Sequence, residues 1–201
     1  HALYLDRVYG SRYAVGVYTN LSRDHLDFHH TMEEYCDAKA ILFDNCDVGV
    51  YNADDPWHER LLQNARCPRR FSYAVHTQAD LTAKNVQLHP GSVDFDAEAD
   101  TEWAQVHVDT PALFTVYNAL DAMACCWNLG VPLAECADAL AKSRGVKGRM
   151  EIIPTPGKSY TILNDYSHKP DALENVLRSV KGFAKGRTVV LFGCGGDRDK
   201  T

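Results

Sequence analysis

The sequence predicts an α/β chain: a mostly parallel sheet with helices plus a small antiparallel meander, followed by the opening of a second α/β unit. Three observations predict it. Short β-rich runs alternate with helix-period segments as far as residue 75, the pattern of parallel strands joined by crossover helices. From 81 to 114 the texture changes to alternating apolar and polar residues around the turn His89-Pro-Gly91. After Arg144-Gly-Val-Lys-Gly148, which reads as a hinge, the strand–helix pattern starts again. The division is therefore expected at 1–148 and 149–201.

Taken in order, Tyr13-Ala-Val-Gly-Val-Tyr18 is the first strand, and it runs into a polar stretch ending at His30. Thr31-Met-Glu-Glu34 has capping-box spacing and opens a helix over 32–43, with Tyr35, Ala38, Ile41 and Leu42 on its buried face. Val48-Gly-Val-Tyr51 is the second strand, and Asn52-Ala-Asp-Asp-Pro56 is a turn into a helix that starts at Pro56 and reaches about 64. A third strand covers 70–75. Segments 83–88, 93–95 and 104–108 form the meander at the sheet edge. Helices follow over 116–129 and 132–143, the second with Pro132 at its first position. Beyond the hinge come strands at 150–153 and 160–165, a helix over 170–180, a strand over 188–192 and the glycine-rich turn Gly193-Cys-Gly-Gly196.

Composition bounds the function. At 201 residues the chain has room for one or two domains and a real core, and 45% hydrophobic with 24% charged residues is ordinary for a soluble protein. A net charge of -6 argues against nucleic acid or an anionic membrane as partner. No apolar run approaches the ~20 residues a bilayer span needs; the longest, over 119–127, is broken by Asp121. No export leader is visible and there is no initiator Met, so the expectation is a cytoplasmic protein of which this is a piece. Seven cysteines without a C-x-x-C pair exclude a zinc knuckle. Cys36, Cys125 and Cys136 fall on helix faces and read as small buried apolar residues in a reducing compartment.

Three places could carry chemistry. Asn20-Leu-Ser-Arg-Asp-His-Leu-Asp-Phe-His-His30 follows a strand, where open α/β sheets place their ligand sites. His25 with Asp24 and Asp27 offers ligands for Mg²⁺, Mn²⁺ or Zn²⁺, or else these side chains cap local backbone. Lys39, two turns into the next helix, is either an apolar stem with its head in water or a desolvated, reactive amine. Asp165-Tyr-Ser-His168 precedes the helix at Pro170, a place suited to phosphate and its counter-ion, or to an Asx turn. No G-x-x-x-x-G-K-[ST] loop is present.

Read together, these segments resemble the Mur ligases, in particular the branch that adds the third amino acid to the UDP-N-acetylmuramoyl dipeptide. The resemblance rests on Thr19-Asn-Leu-Ser-Arg-Asp-His-Leu-Asp-Phe-His29, Thr31-Met-Glu-Glu-Tyr35 with Ala38-Lys39, and Tyr51-Asn-Ala-Asp-Asp55. It continues through Gly148-Arg-Met-Glu151, Asp165-Tyr-Ser-His168, Pro170-Asp-Ala-Leu-Glu-Asn-Val-Leu177 and Phe192-Gly-Cys-Gly-Gly-Asp-Arg-Asp-Lys200, in the family's order along the whole chain.

The resemblance implies a central ATPase-type domain without its P-loop over 1–148 and the first part of a Rossmann-like C-terminal ligase domain over 149–201. It implies ATP-dependent amide ligation through an acyl phosphate, with ATP and Mg²⁺. His25 would be a metal ligand. Lys39 would be carbamylated by CO₂ in the intact enzyme, giving an anion that helps hold that metal. Asn118 would contact adenine, Arg149 the ATP phosphates, and Asp165 and His168 the nucleotide from the C-terminal side. Arg7 and His1 would face the UDP-linked substrate. The implied partners are UDP-N-acetylmuramoyl dipeptide and either diaminopimelate or lysine, with a monomeric enzyme and no nucleic acid or membrane.

The sequence also departs from the family. Ala112 and Thr115 stand where Gly and Asn are usual in the adenine motif, Lys169 replaces a helix-capping Thr, and Leu5 replaces a frequent glutamine. The isolated chain is expected to be inert. Alternatives are a non-catalytic binding module on the same fold, a related ligase such as one adding glutamates to folate, and a metal-dependent phosphohydrolase built on His25 and Asp27.

Overall fold

The computed structural model describes residues 2–24, 26–168 and 170–193, without the side chains of Asp27 and Asp171. Its elements are β1 (Tyr13–Tyr18), α1 (Leu26–His29), α2 (Met32–Asp44), β2 (Cys46–Asn52), α3 (His58–Asn64), β3 (Arg69–Ala74) and β4 (Leu81–Leu88). They continue as β5 (Val93–Ala99), β6 (Trp103–Val108), α4 (Leu113–Asn128), α5 (Leu133–Ala141), β7 (Glu151–Ile153), β8 (Ile162–Asn164) and α6 (Pro170–Phe183). Six strands form one sheet in the order β1-β2-β3-β4-β5-β6, parallel as far as β4 and antiparallel beyond it; β7 and β8 form a separate antiparallel pair.

Helices cover both faces, so β2 is buried almost throughout, as a central parallel strand should be. On one face α2 and α3 pack Cys36, Ala40, Phe43 and Leu61 against Tyr18 and Cys46. On the other, α4 lies across β1 to β5 and α5 against β6, burying Val116, Leu120, Met123 and Leu133 with Val50, Tyr73 and Phe95. Phe43 and Leu61 are wholly buried, and each such side chain stabilises the fold by roughly 1.5–3 kcal/mol.

The parallel β3–β4 junction has no crossover helix. Only Tyr73↔Leu81 and Ala74↔Thr82 pair, so β4 starts beside the end of β3 and runs on past it. The meander therefore projects beyond the carboxyl ends of the parallel strands. A bulge at Asn85, whose φ is 52° and whose Nδ2 donates to Asp96 at 2.7 Å, bends it. His89, Asp94, His107 and Asp109 tie its strands by bonds of 2.7–3.0 Å, and Asp94, then Asp109, raise the His107 pKa. The projecting end meets the C-terminal segment: a Cβ on Gly91 would lie 3.4 Å from Ile152 of β7, and one on Gly182 of α6 would lie 3.7 Å from Leu88.

Local signals held where they were local. Thr31 caps α2, its Oγ1 accepting from the Glu34 amide at 3.1 Å. The buried stripe of α2 differs from expectation: Cys36, Ala38, Ala40 and Phe43 are buried, whereas Tyr35, Ile41 and Leu42 are half-buried. Tyr35 packs at the edge of the core under α2 and stacks on His29 of α1. Helix α3 starts at His58, not Pro56, because the Asp55 carboxylate holds the Trp57 amide in a turn first. Pro132 is the cap residue of α5 rather than its first helical residue. The strand expected over 188–192 is absent: residues 187–193 are irregular and Leu191 is fully exposed. No described strand lies beside them to take up their backbone hydrogen bonds. The turn at 194–196 falls outside the described residues, of which Gly193 is the last. The six described cysteines are free; four are buried, and Cys125 and Cys126 are half-buried.

Asp121 breaks the apolar pattern of α4. Burial pushes its carboxyl up to about 7, against a smaller opposing effect of the Ala122 amide. The facing Tyr73 hydroxyl is buried without a hydrogen bond in the structure. Because the folded pKa lies above the unfolded value near 3.8, the fold holds this proton more tightly than the unfolded chain does. That stabilisation is complete below about pH 4 and is lost as pH rises through about 7. Asp121→Asn should raise the unfolding free energy at pH 8 by roughly 1–2 kcal/mol and leave it nearly unchanged at pH 4, read by urea titration. In the other core, a Cβ on Gly49 would sit 2.7 Å from the Phe43 ring. Gly49→Ala should cost about 1–3 kcal/mol in the same assay, with much of the loss recovered by Phe43→Leu.

Candidate active site

The carboxyl ends of β1, β2 and β3 meet at the turn Asn52-Ala-Asp-Asp55, and its side chains organise everything around it. Asn52 donates from Nδ2 to the Thr19 carbonyl at 3.0 Å and accepts the Asp54 amide on Oδ1. Asp55, buried, accepts the Tyr18 hydroxyl at 2.6 Å, the Leu21 amide at 3.1 Å and the Trp57 amide at 3.0 Å. Asp54 accepts the amides of Val75, His76 and Thr77 at 2.7–2.9 Å, and the hydroxyl of Tyr117 on α4 at 2.8 Å. Burial alone would raise the Asp54 pKa, but these donors outweigh it and hold the carboxyl down at about 2.

This turn fixes the root of the polar loop that follows β1. His25 lies outside the described residues, and so does the side chain of Asp27. Asp24 is described, and its charge reaches the Tyr35 hydroxyl, whose pKa rises chiefly through burial and then through Asp24. Tyr35 stacks on His29 with centroids 5.0 Å apart, and Phe28 and Tyr4 continue the aromatic group edge-on. Lys39 is half-buried, with its Nζ 5.2 Å from the centre of the Tyr35 ring. The amine is therefore on the side of α2 that faces the loop, next to the element bearing Asp24. Among the described residues no three His, Cys, Asp or Glu are spaced to hold a metal.

A second group forms at the hinge. Gly145 and Gly148 take φ of 69° and 74°, and Met150, buried, takes 46°. Asp165 clamps this bend: Oδ2 accepts the Met150 amide at 2.8 Å, and Oδ1 accepts both the amide and the hydroxyl of Ser167. The Asx turn is thus formed, with a second function in holding the hinge. The Arg149 guanidinium lies 5.2 Å from the Tyr166 ring centre, and the His168 Nδ1 is 3.0 Å from the Tyr166 carbonyl oxygen.

The expected residues thus fall into separate groups. Lys39 stands with the loop after β1; Arg149, Asp165 and His168 stand together at the hinge. Asn118 is exposed on α4, one residue after the anchored Tyr117. Arg7 is exposed in the turns before β1, while His1 and Lys169 lie outside the described residues. Ala112 has φ 176°, extended backbone that any residue adopts, so the missing glycine costs nothing there. The Thr115 hydroxyl is buried without a hydrogen bond. Sequence reasoning missed the roles of Asn52, Asp54, Asp55, Tyr18 and Tyr117. The visible signal was a pair of aspartates directly behind a strand.

A family model described as Mur ligase middle domain matches residues 1–126, and one described as Mur ligase, glutamate ligase domain, matches residues 148–201. The UDP-N-acetylmuramoyl-L-alanyl-D-glutamate–2,6-diaminopimelate ligase of Clostridium botulinum is 41% identical over 202 residues, which is 100% of this chain and 42% of that protein. A solved structure of a ligase of the same name matches with a TM-score of 0.80 and 31% identity, over 99% of this chain and 42% of that one. The MurF ligase of Thermotoga maritima, solved in complex with ADP, shares the fold at a TM-score of 0.70 and 18% identity, over 89% of this chain and 41% of that one. The chain spans about 42% of the length of the curated relatives it matches.

The Asp54 network makes a prediction of its own. Its folded pKa is below the unfolded 3.8, so its stabilisation is complete above about pH 4 and is lost as pH falls through about 2. Asp54→Asn should lower stability at pH 7 by about 1–2 kcal/mol and flatten the acid limb between pH 4 and 2, followed by circular dichroism.

Proposed function

Because the chain belongs to the Mur ligase family, we propose that it is the middle of an ATP-dependent ligase that adds the third amino acid to UDP-N-acetylmuramoyl-L-Ala-D-Glu. Residues 1–148 belong to the central nucleotide-handling domain and 149–201 to the start of the domain that presents the amino acid. The observation that carries the reading is the position of Lys39, whose amine faces the loop after β1 and lies beside the element bearing Asp24.

In the reaction, a carboxylate oxygen of the dipeptide attacks the γ-phosphorus of ATP and ADP departs. The amine of the incoming residue then attacks the acyl carbon, phosphate leaves and the amine loses a proton. The first step brings a carboxylate against a polyphosphate, and the second builds negative charge on the acyl oxygen and the departing phosphate, so the site must supply positive charge and exclude water. Arg149 reaches ATP phosphates from the hinge. Asn118 takes the adenine edge, and Asp165 and His168 border the nucleotide on the C-terminal side. Arg7 and His1 face the UDP-linked substrate.

The donor set at the loop fits a hard divalent cation on one condition. An ammonium is no ligand, and half-buried Lys39 becomes one once CO₂ adds to its neutral amine and a proton is released, leaving a carbamate. His25 and this modified Lys39 would hold Mg²⁺, which when bound neutralises charge between ATP and the carboxylate. A cytoplasmic monomer handling small molecules fits a net charge of -6, and no helix among the described residues is long and apolar enough to cross a membrane.

The test is ligation by the whole enzyme, measured as phosphate release that depends on both the UDP-linked dipeptide and diaminopimelate or lysine. Lys39→Ala should lower the rate by about 10²–10³-fold with the fold intact. A wild-type enzyme that releases no phosphate with either amino acid, or a Lys39→Ala variant of full activity, would overturn the reading.

A further inference from the structure

Beyond the groups that meet substrate, the geometry points to Asp54 and Asp55 as a pair of positioning residues that set the spacing between the metal-bearing loop and the nucleotide helix. The inference rests on the reading above, which places the cation on the loop after β1 and adenine at Asn118.

The two carboxylates are adjacent in one turn but reach opposite ways. Asp55 takes the Tyr18 hydroxyl and the Leu21 amide, and so pins the chain three residues before Asp24. Asn52 supports it by gripping the Thr19 carbonyl. Asp54 takes the Tyr117 hydroxyl, and so pins α4 at the residue before Asn118, 63 positions along the chain. Its remaining capacity goes to the amides of residues 75–77 at the end of β3. The turn between them is itself braced, since the Ala53 amide donates to the Tyr73 carbonyl at 2.9 Å. The segment 52–55 thus joins the root of the loop to α4 through side-chain bonds to both.

Charge matters as well as shape. Asp54 accepts four donors and Asp55 three. An amide in either place would turn an NH₂ group toward some of those donors, and bonds to an ionised acceptor are the stronger kind. Purely structural carboxylates would affect folding alone. Positioning carboxylates would also change how tightly nucleotide and cation are held, each through its own arm.

The experiment uses the whole ligase and two conservative hydroxyl deletions, with ATP and Mg²⁺ as probes. Tyr117→Phe should raise the KM for ATP about tenfold while the Mg²⁺ concentration for half-maximal rate stays put. Tyr18→Phe should do the reverse, raising the Mg²⁺ requirement about tenfold at little change in KM for ATP. Adding Tyr117→Phe to Asp54→Asn should cost little more than Asp54→Asn alone, because the two form one bond. Folded fraction is read alongside by circular dichroism. If both deletions lower activity only in proportion to folded fraction, with both constants within about twofold of wild type, the inference fails while the ligase reading stands. A wild-type ligase with no ATP-dependent turnover removes the underlying reading, and this inference with it, before any variant is compared.

Discussion

Parallel strands end with their last amides pointing into space, and the fold depends on what receives them. Here the answer is two adjacent carboxylates. Asp54 collects three successive amides beyond β3, and Asp55 collects the amide of Leu21 beyond β1. Either anion buried alone would be costly, since desolvation penalises the charged form. Surrounded by donors, the same anions become the strongest acceptors in the neighbourhood. The consequence is a floor at the end of the sheet, where open α/β folds place ligands, in which the amides of Leu21, Trp57 and residues 75–77 all have carboxylate acceptors.

Above that floor the molecule keeps a bend. The hinge runs through three residues with positive φ, and Met150 is the non-glycine among them, held by burial and by Asp165. A non-glycine residue in this region is strained and persists when its surroundings over-determine it. Arg149 sits between Gly148 and Met150, so any change in the bend carries its guanidinium with it. The meander makes the second meeting point, near Ile152 and Gly182. Its four-residue His–Asp chain stiffens the end that does so.

How much of this the sequence disclosed follows from the range of each interaction. The Thr31 cap spans three residues and was legible, as were the parallel strands, the meander and both pairs of helices on the sheet. The placement of Lys39 beside the loop followed from the family resemblance and not from periodicity, by which the residue read first as a lysine with its head in water. Tyr35 was placed on the buried face by periodicity; it packs at the edge of that core and also stacks on His29, a contact that periodicity does not carry. Residues 188–192 have strand composition, but a strand exists only beside another, and none of the described strands is there. The Asp54 and Asp55 network escaped altogether. Its partners lie up to 63 residues away, and a side chain's long-range acceptors leave no local pattern.

The stagger of β4 divides the sheet mechanically. The first three strands are laced to one another by five rungs per seam, whereas β3 and β4 share two. The sheet is thus joined most narrowly at this line, where Asp80 adds bonds to the amide and hydroxyl of Ser72 and α4 packs across both halves. Twisting of the sheet should concentrate there and spare the ligand-facing rim of the inner three strands.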